Sequence, residues 1–408
     1  MSGTLSTSAR ANARDAAAYS LGGAPPAYAV RPASAEEAAE VVRACAADRL
    51  ALVPWGGGVA LAGEAFAGRY DVALDAAGLD RVTVYDPDDF TVTAEGGITL
   101  ATLRATLAGP GHELPLEAAH AARATLGGVL AANASGPRRL RFGAPRDRIL
   151  GARYVTGDGV LARSGGRVVK NVAGHAVHRL LTGSRGGLGV LLEASLKLLP
   201  LPPARVALAF GCDAAALADA PRWAGFARRE PAVLSVVGRG AAAGLGAFET
   251  GAPFTAVLGW EDDAAWLGDC EGFARARLGE PAQRTEDHGV PPLWQLLADL
   301  EEMDGPRLTF ASAHNSPAAI APLAALPCAD RLVFHAPSGR LLLWPEPGEA
   351  AALVTELAAR GFTLTEARGV TLERDAPPVA IAALRAALRR ALDPAGVMAL
   401  GARWETGG

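Results

Sequence analysis

Three glycine-bearing segments after Arg123 have the composition of main chain that approaches an extended, phosphate-bearing ligand. They are residues 124–128 (Ala-Thr-Leu-Gly-Gly), 170–175 (Lys-Asn-Val-Ala-Gly-His) and 183–190 (Gly-Ser-Arg-Gly-Gly-Leu-Gly-Val). Glycine lets the backbone come close to a ligand because it has no Cβ, and successive backbone N–H groups form concave anion sites. The chain has 48 glycines, so ordinary turns are the alternative interpretation, and order and spacing must decide.

A further glycine loop, upstream of these three, directly follows a predicted strand. Residues 51–54 (Ala-Leu-Val-Pro) lead into Trp55 and three glycines at 56–58, which suits a pyrophosphate held by backbone N–H groups. The loop is not a P-loop, because Glu64 follows Gly63 where that motif needs Lys. It is not a Rossmann loop, since the crossover helix and the ribose-binding acid do not follow. A loop without a ligand remains the alternative.

The spacing of histidines and cysteines predicts no metal site. The four cysteines stand far apart with no Cys-x-x-Cys pair, so we expect no zinc ribbon and no iron–sulfur ligand set. His175 and His178 lie three residues apart at a predicted helix start, but no carboxylate accompanies them. His335 begins a predicted hairpin and can line a substrate cleft, although a half-buried structural histidine is the alternative. No nucleophile elbow is present.

Length and charge set further bounds. A chain of 408 residues is too long for one core, so we expect two or three domains. The net charge of −4 favours neither nucleic acid nor an anionic membrane as partner. The N-terminal residues include Arg10 and Arg14 but no apolar core of a signal peptide, and no run reaches the roughly 20 apolar residues of a membrane span. We therefore expect a cytoplasmic protein.

Capping residues and apolar spacing predict the elements of the first half. Ser34 with Glu37 forms a capping box before a helix, Thr99 caps a second helix, and Thr125 begins a short third one. Gly-Asp-Gly at 157–159 predicts the turn of a hairpin. β-branched runs predict strands at 72–75, 82–85, 90–94, 149–156, 160–163, 168–169 and 189–199.

The second half repeats a pattern beyond a boundary at residues 200–203 (Pro-Leu-Pro-Pro). It has strands at 307–313, 331–335, 340–344 and 362–366 and helices at 317–326 and 349–360, the β-α-β-β-α-β order of ferredoxin-like domains. A weaker copy precedes it, with strands at 205–210, 232–237 and 254–260 and helices at 214–229 and 264–278. We predict a frayed N-terminal arm (1–28), a first domain (29–200), an α+β cap domain (201–377) and a C-terminal helix and tail (378–408) that return to the first domain.

Together these segments resemble the FAD-binding domain of the vanillyl-alcohol oxidase / p-cresol methylhydroxylase (PCMH) superfamily. The shared order is a strand into Pro-x-Gly-Gly-Gly, then Ala-Thr-Leu-Gly-Gly, Gly-Pro-Arg-Arg (136–139), residues 143–151, Gly-Asp-Gly, Lys-Asn-Val-Ala-Gly and Gly-Ser-x-x-Gly-x-Gly-Val. Seven pieces in one order are far more specific than any single piece. The resemblance implies an α+β fold, with a two-subdomain PCMH-type FAD-binding domain followed by the ferredoxin-like cap.

Within that superfamily the chain is most similar to the family of E-type FAD-binding subunits of bacterial glycolate oxidases, at residues 135–139, 146–151, 170–174 and 392–397. Such a protein pairs with a larger FAD subunit and an iron–sulfur subunit. The complex oxidises glycolate, a small 2-hydroxy acid, to glyoxylate and passes electrons to the membrane chain. The resemblance implies these partners, no nucleic acid, and a membrane contact at the inner face made only through the complex.

The resemblance also implies FAD as the cofactor and assigns residues to it. Val59 and Ala60 stand where covalent relatives carry His, which implies non-covalent FAD. If the chain itself turns over substrate, His175 and His335 are the candidates for the base. The implied FAD-binding residues are Pro54, Trp55, Gly56, Gly57 and Gly58 with Thr125, Gly127 and Gly128 at the pyrophosphate, Arg146 and Asp147 at the flavin, and Gly183, Ser184, Gly187, Gly189 and Val190 at the adenosine and ribityl part.

Three functions remain open from the sequence. The first is an oxidoreductase subunit that passes electrons to an iron–sulfur partner. The second is a catalytically silent flavin scaffold, and the third is a free-standing FAD-dependent 2-hydroxy-acid dehydrogenase. The chain has His175 and Ala176 where the family continues with Tyr-Asp, and its cap lacks the His-rich motif of larger dehydrogenases. These departures concern catalysis more than FAD binding.

Overall fold

The structure is a computed structural model that describes residues 14–61, 68, 70–167, 174–370, 372 and 377–401. The predicted strand at 168–169, the segment 170–173, residues 1–13 of the predicted arm and residues 402–408 of the predicted tail lie outside the described residues.

Strands alternate with short helices along the described chain. The strands are β1 (Tyr28–Val30), β2 (Leu52–Trp55), β3 (Val72–Asp75), β4 (Val82–Asp86), β5 (Thr91–Glu95), β6 (His112–Glu113), β7 (Ile149–Val155), β8 (Leu161–Gly165), β9 (Val190–Lys197), β10 (Leu199–Pro200), β11 (Ala204–Cys212), β12 (Val233–Gly238), β13 (Phe254–Asp262), β14 (Gln283–Glu286), β15 (Arg307–Ser312), β16 (Leu332–His335), β17 (Arg340–Leu343) and β18 (Phe362–Arg368). The α-helices are α1 (Ala35–Asp48), α2 (Leu100–Ala108), α3 (Leu126–Ala132), α4 (Arg139–Phe142), α5 (Pro145–Arg148), α6 (Val177–Leu181), α7 (Ala214–Ala218), α8 (Ala220–Trp223), α9 (Arg239–Ala242), α10 (Ala264–Leu278), α11 (Val290–Asp299), α12 (Ala350–Ala359) and α13 (Val379–Leu392).

The first sheet is parallel, with strand order β1-β3-β2, and α1 packs on it. Ser34 begins α1, because its Oγ accepts a hydrogen bond from the Glu37 amide at 3.1 Å, which confirms the predicted cap. The C-terminal segment extends the sheet beyond β2: Leu52 N donates to Val397 O at 2.8 Å, and Ala399 N donates to Leu52 O at 2.9 Å. The end of the described chain therefore supports the strand that leads into the first glycine loop.

The described part of the N-terminal arm packs against the same sheet. Tyr19 is buried, and its hydroxyl donates to Asp75 Oδ2 at 2.7 Å. Arg31 pairs with the same carboxylate at 2.6 Å, and the Tyr19 ring lies edge-on to Trp55 with centroids 5.4 Å apart. Residues 14–28 are thus anchored beside the first glycine loop, in contrast to the frayed arm expected from their composition.

The second sheet is antiparallel, with strand order β4-β5-β9-β7-β8. The predicted hairpin is confirmed, since β7 and β8 pair across a turn in which Thr156 N donates to Val160 O at 3.1 Å. Gly159 has a φ of +79°, a conformation that glycine adopts without strain. The strand predicted at 189–199 is divided into β9 and the short β10, which pairs with β6.

The third sheet has eight strands in the order β14-β11-β13-β12-β16-β17-β15-β18. Numbered within each half, the strands run 4-1-3-2 and then 2-3-1-4, so two ferredoxin-like units join edge to edge through β12 and β16. Apolar clusters cover both faces of this sheet. The two repeated units inferred from the sequence are therefore present, and they share one continuous sheet.

Three details of this half differ from the sequence-based expectation. The first unit is complete, because β14 pairs with β11; its Gln-Arg-Thr-Glu sequence has no apolar alternation and gave no strand signal. The helix predicted at 214–229 is divided into α7, α8 and a 3-10 turn (Ala227–Arg229). Pro221 lies in the first turn of α8, and the left-handed Gly225 separates α8 from the 3-10 turn. Residues Pro317–Ala325 form a 3-10 helix that contains Pro322, which cannot donate an α-helical hydrogen bond.

A buried ion network joins the cap to the first domain at Arg138. Its Nε lies 2.7 Å from Glu117 Oε1, and its Nη1 lies 2.9 Å from Glu261 Oε2 and 3.4 Å from Glu113 Oε1. Burial opposes the charge of this guanidinium, but the three carboxylates together raise the pKa of Arg138 above its usual value. Glu261 also accepts from Trp294 Nε1 at 2.8 Å, so α11 is tied to the same network.

Candidate functional site

A cavity of about 370 Å³ lies between the glycine loops and the cap, lined by residues of both. It brings together most of the residues that the sequence assigned to a cofactor, although these come from segments far apart in the chain. The predicted residues that line it are Pro54, Trp55, Gly56, Gly57, Gly58, Thr125, Gly127, Gly128, Gly183, Ser184, Gly189 and Val190.

The first glycine loop (residues 54–58) follows β2 and packs backbone to backbone on the segment at 124–128, here called the second segment. A Cβ at Gly56 would lie 2.1 Å from Thr125 Oγ1, and a Cβ at Gly57 would lie 1.8 Å from the Arg123 carbonyl oxygen. These two glycines are required by that close approach, whatever the cavity holds. Among the described residues, the Gly57 and Gly58 amides have no hydrogen-bond acceptor, so they can serve a ligand.

From the sequence we expect free N–H groups at the helix start of the second segment, and the structure differs. Thr125 caps α3, as predicted, with its Oγ1 accepting from Gly128 N at 3.4 Å. The next amides are also paired: Leu126 N donates to Ile98 O at 2.8 Å, and Gly127 N donates to Gly96 O at 2.7 Å. This segment therefore shapes the cavity wall, and its first amides do not serve as an anion site.

The third segment, residues 183–190, packs against the C-terminal end of α3. Gly183 N donates to Leu130 O at 3.0 Å, and Arg185 N donates to Ala131 O at 2.8 Å. Gly186 has a φ of +78° and packs against Pro54. A Cβ added at Gly186 would lie 3.1 Å from Pro54 Cγ. Gly187 does not line the cavity; a Cβ there would lie 2.9 Å from Leu400 O. The predicted Gly187 thus contacts the C-terminal segment.

The remaining predicted residues lie outside the cavity lining. Arg146 and Asp147 are exposed; Asp147 Oδ2 accepts from Ala144 N at 2.9 Å and caps the short α5. His175 is exposed as well. His335 is 1% exposed and lies behind Glu301, which does line the cavity, with its Nε2 3.4 Å from Glu301 Oε1.

The sequence did not reveal a charged wall that the cap places opposite the glycine loops. The cap contributes three arginines and three glutamates to the lining. Three more arginines, Arg139, Arg185 and Arg385, come from outside the cap and give the lining an excess of three positive charges. The one sequence signal available was charge inside otherwise apolar strands, as in Glu366-Ala367-Arg368 of β18, where alternate residues share a face. The charged lining residues are Arg139, Arg185, Arg307, Arg340, Arg368, Arg385, Glu301, Glu302 and Glu366.

Glu366 gathers the arginines of one part of this wall. Its carboxylate lies 2.6 Å from Arg307 Nη2 and 3.2 Å from Arg368 Nε, and it also pairs with Arg185 of the third glycine segment. Burial favours the neutral acid, but Arg368, Arg307 and Arg185 outweigh it and lower the pKa of Glu366 well below its usual range. The pair with Arg185 connects the cap to the glycine loop across the cavity.

Glu301 forms the second part of the wall. Its Oε2 lies 2.5 Å from Arg340 Nη1, and Arg340 Nη1 also donates to Ser135 O at 3.3 Å. Burial again favours the neutral acid, yet Arg340 and His335 lower the pKa of Glu301 to about 2. The cavity therefore keeps ionised carboxylates and arginines side by side at neutral pH.

The low pKa of Glu301 predicts an acid-dependent contribution to stability. The ionised carboxylate stabilises the fold above its ordinary pKa of 4.5, and this contribution is lost as pH falls toward about 2. Urea unfolding measures the free energy of unfolding of wild type and of Glu301→Gln. We expect the difference between the two to be smaller at pH 3 than at pH 6 by about 2 kcal/mol. The control Glu356→Gln, at a half-exposed carboxylate paired with Arg360, should show no such narrowing. An unchanged gap for Glu301→Gln would contradict the assigned ion pair.

The cavity suits FAD on the features of its own residues. Among the described residues the Gly57 and Gly58 amides have no acceptor and can hold a pyrophosphate. Glycines keep the wall free of side chains, and the lining as a whole carries three more positive than negative charges. Within the described ranges, no cluster of His, Cys, Asp and Glu could hold a metal ion. No described helix combines the length and apolar character needed to cross a membrane.

Comparison with known proteins finds similarity over the first domain. Residues 26–165 match the model of the FAD binding domain family. The chain is 47% identical over 125 residues to glycolate oxidase subunit GlcE of Escherichia coli (strain K12), covering 30% of this chain and 36% of that protein. It is 35% identical over 178 residues to D-2-hydroxyglutarate dehydrogenase of Xanthomonas citri pv. viticola, covering 43% and 38% respectively. The chain thus spans well under half the length of these curated relatives.

Solved structures extend the likeness in fold to nearly the whole chain. Phl p 4.0202, a glucose dehydrogenase, superposes with a TM-score of 0.68 over 91% of this chain and 89% of its own, at 14% identity. This similarity confirms the predicted α+β fold of an FAD-binding domain followed by a cap.

Proposed function

We propose that this chain, whose residues 26–165 match the FAD binding domain family, is the FAD-binding subunit of a glycolate oxidase-type complex. The complex would oxidise glycolate, or another small 2-hydroxy acid, to the 2-oxo acid. The observation that carries this proposal is the excess of arginine over glutamate in the cavity lining, six residues against three, since a carboxylate substrate is an anion and arginine binds carboxylates through paired hydrogen bonds. The partial relatives GlcE and D-2-hydroxyglutarate dehydrogenase support the same substrate class.

The proposed cofactor, non-covalent FAD, would supply the hydride acceptor. Gly57 and Gly58 would hold its pyrophosphate through their amides, and Gly183 to Val190 would lie along its adenosine and ribityl part. Arg146, proposed for the flavin side, would act through Asn133, because Arg146 N donates to Asn133 Oδ1 at 3.3 Å and Asn133 lines the cavity. Asp147 would support this segment from its cap on α5.

Arg340 is our candidate for the substrate carboxylate. It lines the cavity, and its polar contacts with other described residues all use Nη1. Nε and Nη2 form the edge that can bind both oxygens of a carboxylate. Glu301 and Ser135 fix the guanidinium from the other edge, so the substrate would meet a donor pair that is already oriented.

Removal of the hydroxyl proton requires a base close to the substrate. His335 is the favoured candidate, because its Nε2 lies behind the cavity-lining Glu301. His175, the other candidate, is exposed and outside the lining, so it would have to approach the substrate from outside the cavity.

The proposed partners are a larger FAD subunit and an iron–sulfur subunit. Each of the four cysteines is buried and unpaired, and they are scattered over the chain, so an iron–sulfur relay would lie in a partner. The complex would be cytoplasmic, or peripheral at the inner face of the membrane through another subunit.

Anaerobic flavin reduction tests the proposal. We expect glycolate or D-lactate to bleach the flavin of the purified chain, alone or with its partners, and we expect Arg340→Met to raise KM about 100-fold while flavin content stays unchanged, because two charge-assisted hydrogen bonds are lost. The exposed control Arg360→Met should leave KM as in wild type. Flavin in this chain that no 2-hydroxy acid reduces, even in the complex, would contradict the proposal and favour a silent flavin scaffold.

A further inference from the structure

Arg139 differs from most of the arginines that line the cavity, because it has no acidic partner in the described part of the chain. Its side chain donates only to Ser135 Oγ, at 3.0 Å. The residue begins α4 in the first domain, is exposed and lines the cavity. An anion in the cavity would therefore meet a guanidinium whose charge no carboxylate compensates. The lining arginines that do pair with glutamates are Arg185, Arg307, Arg340 and Arg368.

Arg340 reaches the same place from the cap. Its Nη1 donates to Ser135 O at 3.3 Å, so Ser135 binds both arginines, one through its carbonyl and the other through its hydroxyl. The Nε and Nη2 atoms of Arg340 donate to no described residue, and neither is among the buried polar atoms that lack a partner. Both atoms are therefore accessible to a ligand, next to a second arginine from the other domain.

The two neighbouring arginines favour the binding of an anion. Burial and the charge of Arg340 lower the pKa of Arg139 below its usual value, and Asp147 and Glu301 offset this only in part. Glu301 is already paired with Arg340 at 2.5 Å, and Asp147 accepts from the Ala144 amide in the cap of α5. A negative charge bound beside both guanidiniums would relieve their repulsion.

The preceding residue, Arg138, fixes the backbone from which Arg139 reaches the cavity. Arg138 is buried in the ion network between the first domain and the cap, and its Nη1 lies 2.9 Å from Glu261 Oε2. Because the two arginines are adjacent in the chain, Arg139 cannot move far without disturbing that network. A binding group that is already positioned loses less conformational entropy when its ligand arrives.

We propose that Arg139 is a second carboxylate-binding residue, which binds the single carboxylate of a 2-hydroxy acid together with Arg340. The inference rests on the proposed function. Arg340 would bind through Nε and Nη2, and Arg139 would add a charge-assisted hydrogen bond from the first domain. Together Arg139, Arg340 and Glu301 carry one net positive charge, which one carboxylate neutralises, so the site suits a monocarboxylic acid. Bound substrate would thus connect the first domain to the cap.

Binding of oxamate tests Arg139 without turnover, because oxamate has the carboxylate of a 2-hydroxy acid but no oxidisable hydroxyl. Isothermal titration calorimetry of the full-length protein with saturating FAD measures its Kd. We expect Arg139→Met to raise the Kd about tenfold, since one charge-assisted hydrogen bond is lost. Ser135→Ala should raise it about threefold, since Arg139 loses the oxygen that orients it. Wild-type protein that binds no oxamate, or an unchanged Kd in Arg139→Met, would overturn the proposal.

Arg141→Met is the matched control. Arg141 lies in the same helix as Arg139, but it binds Glu230 O and Asp262 and is not part of the cavity lining. We expect its oxamate Kd to equal that of wild type. An equal rise of the Kd in Arg141→Met and Arg139→Met would show a general effect on the helix and would also overturn the proposal.

Kinetics separates this inference from the proposed function. Arg139→Met should raise KM for glycolate or D-lactate about tenfold and change kcat by less than about threefold, because a carboxylate contact binds substrate and transition state alike. A fall in kcat with an unchanged KM would overturn the inference. If wild-type protein oxidises no 2-hydroxy acid, the proposed function fails, and the oxamate Kd values still decide whether Arg139 binds a carboxylate.

Discussion

A chain that carries Gly57→Ala should bind FAD about 100-fold more weakly than wild type, a loss of about 2.7 kcal/mol. The new Cβ would lie 1.8 Å from the Arg123 carbonyl oxygen, and the obstacle is backbone that cannot swing aside. The first glycine loop must therefore move away from the second segment, which displaces the Gly57 and Gly58 amides that have no acceptor among the described residues. Titration of the flavin-free protein with FAD measures the loss.

The matched control is Gly109→Ala. A Cβ at Gly109 meets no atom within 4 Å, and its backbone has an ordinary right-handed conformation at the end of α2. We expect Gly109→Ala to bind FAD as wild type does. We also expect the cap to unfold alike in Gly57→Ala and Gly109→Ala. Equal affinity in Gly57→Ala and Gly109→Ala would show that the first loop is only a turn.

Replacing Arg138 with Met should lower the free energy of unfolding by about 3–5 kcal/mol, since a buried ion network that loses one partner leaves uncompensated charge. Glu117 would then lose the ion pair with Arg138, while Glu113 and Glu261 would keep only their ion pairs with Arg205, at 3.0 and 3.6 Å. Because Glu117 belongs to the first domain and Glu261 to the cap, we also expect the two parts to separate more readily. Tryptophan fluorescence during urea unfolding measures the change, because Trp294 donates a hydrogen bond to Glu261 of this network.

Arg81→Met is the control for this variant. Arg81 also pairs with a carboxylate, Glu95 at 2.9 Å, but its side chain is 72% exposed, and solvated ion pairs contribute little. A loss of stability in Arg138→Met no larger than that in Arg81→Met would contradict the view that Arg138 joins the cap to the first domain.

Local signals in the sequence predicted the elements around the cavity well. Ser34, Thr99 and Thr125 each cap the helix expected, because an N-cap depends on residues within one turn. The hairpin at 157–159 and the repeated unit of the cap were also predictable, since turn residues and apolar alternation are local. The meeting of three distant glycine segments (54–58, 124–128 and 183–190) at one cavity was predictable only from the order of such segments in the family. No spacing rule within the chain predicts it.

Features set by long-range contacts were not predictable. β14 is a polar edge strand, and its extended conformation goes with its pairing to β11. The amides at the start of α3 are occupied by Ile98 and Gly96, which no local pattern indicates. The charged wall arises because Glu301, Arg340 and Glu366, far apart in sequence, meet at one face of the cap. Its role as a substrate site stays a proposal.

The most direct measurement is the visible spectrum of the purified chain during anaerobic titration with glycolate. We expect a yellow protein whose FAD is released intact by acid precipitation and is bleached by glycolate or, failing that, by D-lactate. A colourless protein that takes up no added FAD would contradict the cofactor site itself, and bound flavin that neither acid reduces would contradict its proposed role in oxidising 2-hydroxy acids.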